Sequence, residues 1–212
     1  MSIYTFYLKF SKLPKIEKYL INYAKARYIN TFVKKGKSIK LHLGCGNVYL
    51  KNYLNIDVRP LKNVDIVADI TSFPFIPDSS VDEIYTCHTF EHISHQKSMK
   101  VLEEWFRILK RKGKIIISVP DFEYIINIYK KTENNIWNIK SVLMGEQDYP
   151  EDSHYSVFNY NFFEQILSHA GFKNIRRLSS NEKITNKDWS FRKIKVPTGE
   201  EFPISLNITA EK

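Results

Sequence analysis

"LHLGCGNVYLKNYLNID", residues 41–57, is an apolar run that ends in a Gly-Cys-Gly turn, followed by a second apolar run that ends on an acid. Gly44 and Gly46 sit where a strand would hand over to a turn. Glycine there lets the chain bend tightly and lets backbone N–H groups approach a bound molecule. A dinucleotide-binding turn would need a further glycine three residues on, to seat a helix against the strand and a pyrophosphate on its N-terminus. That position is Tyr49, which weakens the dinucleotide reading.

The alternation continues on both sides. Apolar runs at 39–43, 53–57, 64–69 and 81–87 read as strands. Residues 97–111 place Val101, Leu102, Trp105, Phe106, Ile108 and Leu109 on one helical face, with Gly113 as the stop. "KIIISVP" (114–120) has the β-branched composition of a strand covered on both faces. A helix is expected from Phe122, then an irregular stretch, "MGEQDYPEDSHYSVFN" (144–159). Asn161 as N-cap, Glu164 as capping-box partner and Gly171 just past the end predict a helix over 161–170. "FKNIRRLS" reads as a strand, and "ISLNITA" (204–210), with Leu206, Ile208 and Ala210 alternating inward, suits an antiparallel one. Strands alternating with helices imply βαβ units and an α/β, doubly wound, mostly parallel sheet. Residues 121–160 are then an insertion over the crevice where such sheets bind ligands.

Within that frame a second ligand fits the opening stretch: S-adenosylmethionine, which carries no phosphate. It needs room for an amino-acid tail, a carboxylate for two ribose hydroxyls, and a slot for adenine. Asp57 ends the second strand and suits the ribose; Asp69 follows the third and suits the adenine amino group, with Ile70, Phe73 and Phe75 to flank the ring. Each acid alone is an ordinary turn residue. The ordered set Gly44, Gly46, Asp57, Asp69, each after its own strand, is what carries the reading.

Composition sets bounds. The 212 residues are 43% hydrophobic, which argues for one folded domain with a sizeable core. No apolar run approaches the ~20 residues of a membrane span, and Lys9 interrupts the apolar start, so the chain reads as cytoplasmic. The two cysteines, Cys45 and Cys87, sit in no paired motif and read as reduced thiols. The charge is uneven: residues 1–40 hold ten Lys/Arg against one acid, Glu17, while the rest of the chain is balanced. Ile16, Leu20, Ala24, Tyr28 and Phe32 form a stripe at a spacing of four, predicting a helix over 14–35 with Gly36 at its end. Residues 1–37 are thus read as a basic helical extension, able to meet an anionic surface, substrate or nucleic acid, or a second copy of the chain.

From about residue 38 to 209 the chain resembles the class I S-adenosylmethionine-dependent methyltransferases. "LHLGCGN" resembles their first motif, "VDEIYTCHTFEHI" the fourth-strand motif, "EWFRILKRKGKIIISVP" the fifth strand with its preceding helix, and "FFEQILSHAGFKNI" the late helix–strand unit. The resemblance is strongest to the small methyltransferases found with bacterial capsule and surface-polysaccharide genes, on "GEQDYPEDSHYSVFN" and "ISLNITAEK". It implies a seven-stranded sheet with an antiparallel last strand. It also implies a cofactor site from Gly44, Cys45, Gly46, Asn47, Asp57, Val58, Asp69, Ile70 and Cys87. Two departures stand out: His42 where many members carry an acid, and Val48 where a third glycine is usual. The short interval from Gly44 to Asp57 leaves room for a turn or two of helix.

For the chemistry, "TCHTFEHISH" supplies His88, Glu91, His92 and His95 at the end of the fourth strand, which faces the transferred methyl group in this fold. His88, His92 and His154 are the candidate catalytic bases, imidazole having a pKa near working pH. Gln147, Tyr149, His154 and Tyr155 are the candidate acceptor contacts. No metal is expected, since "EHISH" is not the zincin order and neither Cys nor acid is placed nearby in sequence to complete a set. The family's base N-methyltransferases carry an (Asp/Asn)-Pro-Pro-aromatic motif where this chain reads "TCHT". O-methylation of a small, anionic acceptor is therefore expected: a sugar, phosphoryl or phosphoramidate oxygen, or a nucleotide-linked intermediate of surface-polysaccharide assembly. The alternatives are an RNA methyltransferase docking through the basic segment, and a non-catalytic cofactor-binding or partner-docking module.

Overall fold

The computed structural model describes residues 23–31, 38–197 and 199–212. The strands are β1 (Lys40–Leu43), β2 (Leu54–Asp57), β3 (Ile66–Val67), β4 (Val81–Cys87), β5 (Leu109–Pro120), β6 (Lys173–Arg177), β7 (Lys193–Lys195), β8 (Glu201–Pro203) and β9 (Ser205–Glu211). Helices α1 (His95–Ile108), α2 (Phe122–Lys131), α3 (Lys140–Met144) and α4 (Tyr160–His169) lie between them. Seven strands form one sheet in the order β3-β2-β1-β4-β5-β9-β6. The pairs from β3 through β5 are parallel, whereas β9 runs antiparallel to both β5 and β6. This is the Rossmann-like, doubly wound arrangement expected, with the antiparallel strand wedged between its neighbours. A small β7–β8 ribbon is additional.

The core explains the pairing. Ile115, Ile117 and Val119 of β5 lie opposite Ala210, Ile208 and Leu206 of β9, and all six are buried. A strand apolar on both faces is stable only when helices or loops cover both. α1 covers one face with Val101, Leu102, Trp105 and Ile108. Among the described residues no helix is long and apolar enough to cross a membrane.

Several local expectations are corrected. Residues 23–31 are helical, but they bury Ile29, while Ala24 and Tyr28 of the expected stripe are exposed. A spacing of four advances beyond the 3.6-residue turn, so such a stripe drifts off any one face; Ile16, Leu20, Phe32 and Gly36 lie outside the described residues. Gly113 does not stop α1: the helix ends at Ile108 and Leu109 already has extended backbone, so Gly113 falls within β5. α4 is capped by Asn159, whose side chain accepts from the Phe162 N–H, two residues before the expected Asn161. Its Glu164 instead accepts from the Tyr160 hydroxyl. No helix joins β1 to β2; residues 44–53 are turns, and Val48, Leu50 and Tyr53 pack on the sheet face in its place, beside Tyr85 and Ile116.

Candidate active site

Parallel strands bring the ends of β1, β2, β3 and β4 to one edge. The turn after β1 needs its glycines: Gly44 has φ +63° and Gly46 φ +51°. A Cβ on Gly44 would fall 2.1 Å from Thr89 Cγ2. The Cys45 N–H donates to the Ile56 carbonyl at 3.1 Å, tying the turn to β2. Asp57 then clasps it: Oδ2 accepts from the Gly46 N–H at 2.9 Å, and Oδ1 accepts from the backbone N–H and Nε–H of Arg59 at 2.9 and 3.2 Å. A carboxylate offers about four acceptor sites, so the buried Asp57 keeps one in hand. Asp69 Oδ1 accepts from the Thr71 N–H and hydroxyl. Asp57, Val58, Asp69 and Ile70 line one hollow of about 370 Å³, with Arg59, Thr71 and Thr89. Phe73 and Phe75 do not reach it; they pack edge to face in the main core.

A second hollow of about 470 Å³ shares Gly44, Arg59, His88, His92 and Tyr149 with the first, and adds Cys45, Gly46, Asn47, Cys87 and His154. Tyr149 lies beneath the Arg59 guanidinium, 4.3 Å from ring centre to Cζ, at the junction of the two. Tyr155 lines the first hollow, not the second. Gln147 lines neither: it is exposed, and its side-chain amide donates to the Met144 carbonyl. His95 opens α1 and also lies outside both. Burial pushes the Cys45 thiol up to about 12 and raises Cys87 well above the usual thiol range, so neither is a thiolate at neutral pH.

Glu91 is fully buried on the short 3₁₀ turn Phe90–His92, and neither of its carboxylate oxygens has a hydrogen-bond partner. His88 Nδ1 stands 3.5 Å from Oε1, and His154 Nε2 stands 4.0 Å from it. The His92 and His154 rings meet edge to face at 4.8 Å. The far sides of two rings are held. His92 Nδ1 is 3.1 Å from the Ser153 carbonyl, so it carries the proton and Nε2 is left with a lone pair. His88 Nε2 lies 2.7 Å from Ser205 Oγ, whose hydroxyl donates to the Trp189 carbonyl. Nε2 is thus the donor, and the bare Nδ1 faces Glu91. Burial holds all three imidazoles below their usual range, His88 to about 3 and His154 to about 4, and pushes Glu91 up to about 8. At neutral pH the rings are neutral and their free nitrogens are bases or ligands.

His154 arrives from far along the chain because its loop is pinned to the same turn. The backbone N–H groups of Tyr155 and Ser156 both donate to the Glu91 carbonyl, and the Ser156 hydroxyl to the Ile93 carbonyl. Sequence reasoning missed Arg59, although it stands two residues after Asp57, and missed Asp188 and Trp189, which precede the ribbon and wall the second hollow. His42 does not stand in for an acid: it is buried, lowered by burial, and its Nδ1 is 3.1 Å from Asn55 Oδ1.

Residues 41–117 match the family model of a methyltransferase domain. An uncharacterized protein of Methanocaldococcus jannaschii is 30% identical over 133 residues, 53% of this chain and 57% of that protein, so the match spans little more than half of its length. The fold is shared with an S-adenosylmethionine-dependent methyltransferase of Archaeoglobus fulgidus, with a TM-score of 0.53 at 17% identity over 91% of this chain and 93% of that one. It is also shared with the 1,6-didemethyltoxoflavin N1-methyltransferase of Burkholderia thailandensis, solved with S-adenosylhomocysteine, with a TM-score of 0.50 at 12% identity over 88% and 77%. The fold is thus one shared with methyltransferases that use S-adenosylmethionine. The residues fit it: a turn that excludes side chains, a carboxylate with acceptor capacity left, a second acid and an apolar wall at Ile70.

Proposed function

We propose that this chain transfers a methyl group from S-adenosylmethionine to an oxygen of a small acceptor. When bound, the cofactor supplies an electrophilic sulfonium methyl carbon and leaves as S-adenosylhomocysteine. Asp57 holds the ribose, Asp69 and Ile70 hold the adenine, and the backbone of residues 44–46 with Asn47 faces the amino-acid tail. The observation that carries the reading is the group of neutral imidazoles where the two hollows meet. His92, with its proton fixed on Nδ1, and His154 both line the second hollow, and each neutral ring keeps one lone pair. They orient the acceptor hydroxyl and take its proton as the new O–C bond forms, while positioning supplies much of the rate. His88 has its Nε2 engaged by Ser205 Oγ and its Nδ1 turned toward Glu91, so it does not meet the acceptor.

The lining of the acceptor hollow mixes charges, Arg59 and Lys187 against Glu146, Asp152 and Asp188. Such a lining suits a polyhydroxylated acceptor, with Arg59 and Lys187 to meet an anionic part, and we assign the acceptor to the sugar, phosphoryl or nucleotide-linked intermediates of surface-polysaccharide assembly. Incubation of the full chain with labelled cofactor and nucleotide-linked sugars tests this. Label on an acceptor oxygen, lost in His154→Ala with cofactor binding kept, supports it. Transfer only to RNA refutes it, as does cofactor binding with transfer to nothing in a small-molecule extract.

A further inference from the structure

Glu91 poses a specific problem. A buried carboxylate with both oxygens unpartnered is rare, because it forfeits its hydration and gains nothing in return. Around it stand the bare Nδ1 of His88 at 3.5 Å and Nε2 of His154 at 4.0 Å, and the backbone N–H groups of Glu91 and Thr89 act on it without hydrogen-bond geometry. Lone pairs that converge on one point need a cation or a proton between them. One oxygen of Glu91, one nitrogen of His92 and one of His154 all lie within 4.8 Å of one another. Ligand atoms about 2.0–2.2 Å from a common ion stand closer than that, so a small inward shift of the loop carrying His154 completes the set.

The surroundings match what a metal-bound imidazole requires. A ligating histidine usually gives its other N–H to a carbonyl or carboxylate, which fixes the ring and its tautomer. His92 does so toward the Ser153 carbonyl through Nδ1. We infer that Glu91, His92 and His154 bind a divalent transition-metal ion, of the zinc, iron(II) or cobalt(II) kind, with coordination positions left open toward the acceptor hollow. Two imidazoles and one carboxylate on one side of an ion are a recognised arrangement for such metals, whereas magnesium and calcium prefer oxygen donors throughout. Sequence alone could not assemble this set, since its third member lies in the distant loop. The ion's use rests on the transfer reading above: if bound, it would be held by Glu91, His92 and His154 and would supply Lewis acidity that lowers the acceptor hydroxyl's pKa, so that the proton could pass to solvent in place of an imidazole. Its binding does not rest on that reading.

The test strips the full-length chain with a chelator and titrates it with cobalt(II), followed by visible absorption, then displaces cobalt with zinc. Binding of S-adenosylhomocysteine is measured by calorimetry in the same samples. The expected result is a d–d spectrum stronger than that of the aqueous ion, bleached by zinc. Glu91→Gln and His154→Ala should each weaken the ion by at least about 10–100-fold while S-adenosylhomocysteine still binds. His154→Ala keeps the test sound if Glu91→Gln fails to fold, because His154 sits in a loop. An unchanged cobalt spectrum, with S-adenosylhomocysteine bound normally, overturns the ion site and leaves the methyltransferase reading standing; the cluster then shares a proton instead. A cobalt spectrum that persists in both variants also overturns it.

Discussion

Replacing Asp57 with Asn separates the two tasks assigned to its carboxylate. The side chain keeps its shape and loses its charge and one acceptor oxygen. In the wild type three N–H groups converge on it, from Gly46 at 2.9 Å and from Arg59 at 2.9 and 3.2 Å. An amide can turn its oxygen to Gly46 or to Arg59, and its NH₂ then opposes a donor on the other side. At least one charge-assisted hydrogen bond is lost at a buried position, which costs about 1.5–3 kcal/mol of stability. For a chain of this size that is a fall in Tm of about 3–12 °C. Cofactor affinity should drop independently, because the one spare acceptor site is on Oδ2, the oxygen we propose takes a ribose hydroxyl. Loss of one hydrogen bond to that hydroxyl, about 1–3 kcal/mol, weakens S-adenosylhomocysteine by about 5–150-fold. Thermal melts and titration calorimetry read the two effects separately. A lowered Tm with unchanged affinity would reduce Asp57 to a clasp for the glycine turn and remove it from the ribose role.

Gly44→Ala combines a φ of +63° with a contact of 2.1 Å to Thr89 Cγ2, so it should cost about 2–4 kcal/mol and abolish cofactor binding. Adding Thr89→Gly should return the steric part but not the backbone strain, as a melt of the double variant will show. Tyr149→Ala removes the ring under Arg59, and should raise acceptor KM more than it lowers kcat, measurable by steady-state kinetics. Glu104 is held below its usual value of 4.5 by Arg107, which donates from Nε at 2.7 Å. Its contribution is therefore present above that value and lost as pH falls through its lower folded pKa. Glu104→Gln should lower stability at neutral pH and flatten its decline on acidification, as denaturant melts across that range would reveal.

Much of the sheet was legible because its signals are local. Four isoleucine and valine residues in "KIIISVP" demand cover on both faces, and a glycine turn followed by Asp57 marks a strand edge wherever it occurs. Boundaries were harder: Asn159 and Asn161 are equally good caps in isolation, and Phe158, buried against Phe163, decides between them. The basic N-terminal helix was read at a spacing of four, which misplaced its buried face by one residue at Ile29. Within the site, His88 and His92 announced themselves. Their meeting with His154 depends on two backbone hydrogen bonds to the Glu91 carbonyl, which no spacing encodes. Phe73 and Phe75 read equally well as a ring-binding slot or as core, because aromatic residues after a strand can either stack on a ligand or fill the interior, and only packing separates those outcomes.

The place of β9 governs how the molecule can be made. Among the described residues β6 pairs in the sheet with β9 alone, and β5 is paired on that side by β9. During synthesis the ribosome delivers β9 after every other strand. Until then Ile115, Ile117 and Val119 border a raw strand edge, the kind of surface that recruits another chain. Substitutions that weaken the β5–β9 pairing should therefore lower soluble yield before they lower the melting temperature.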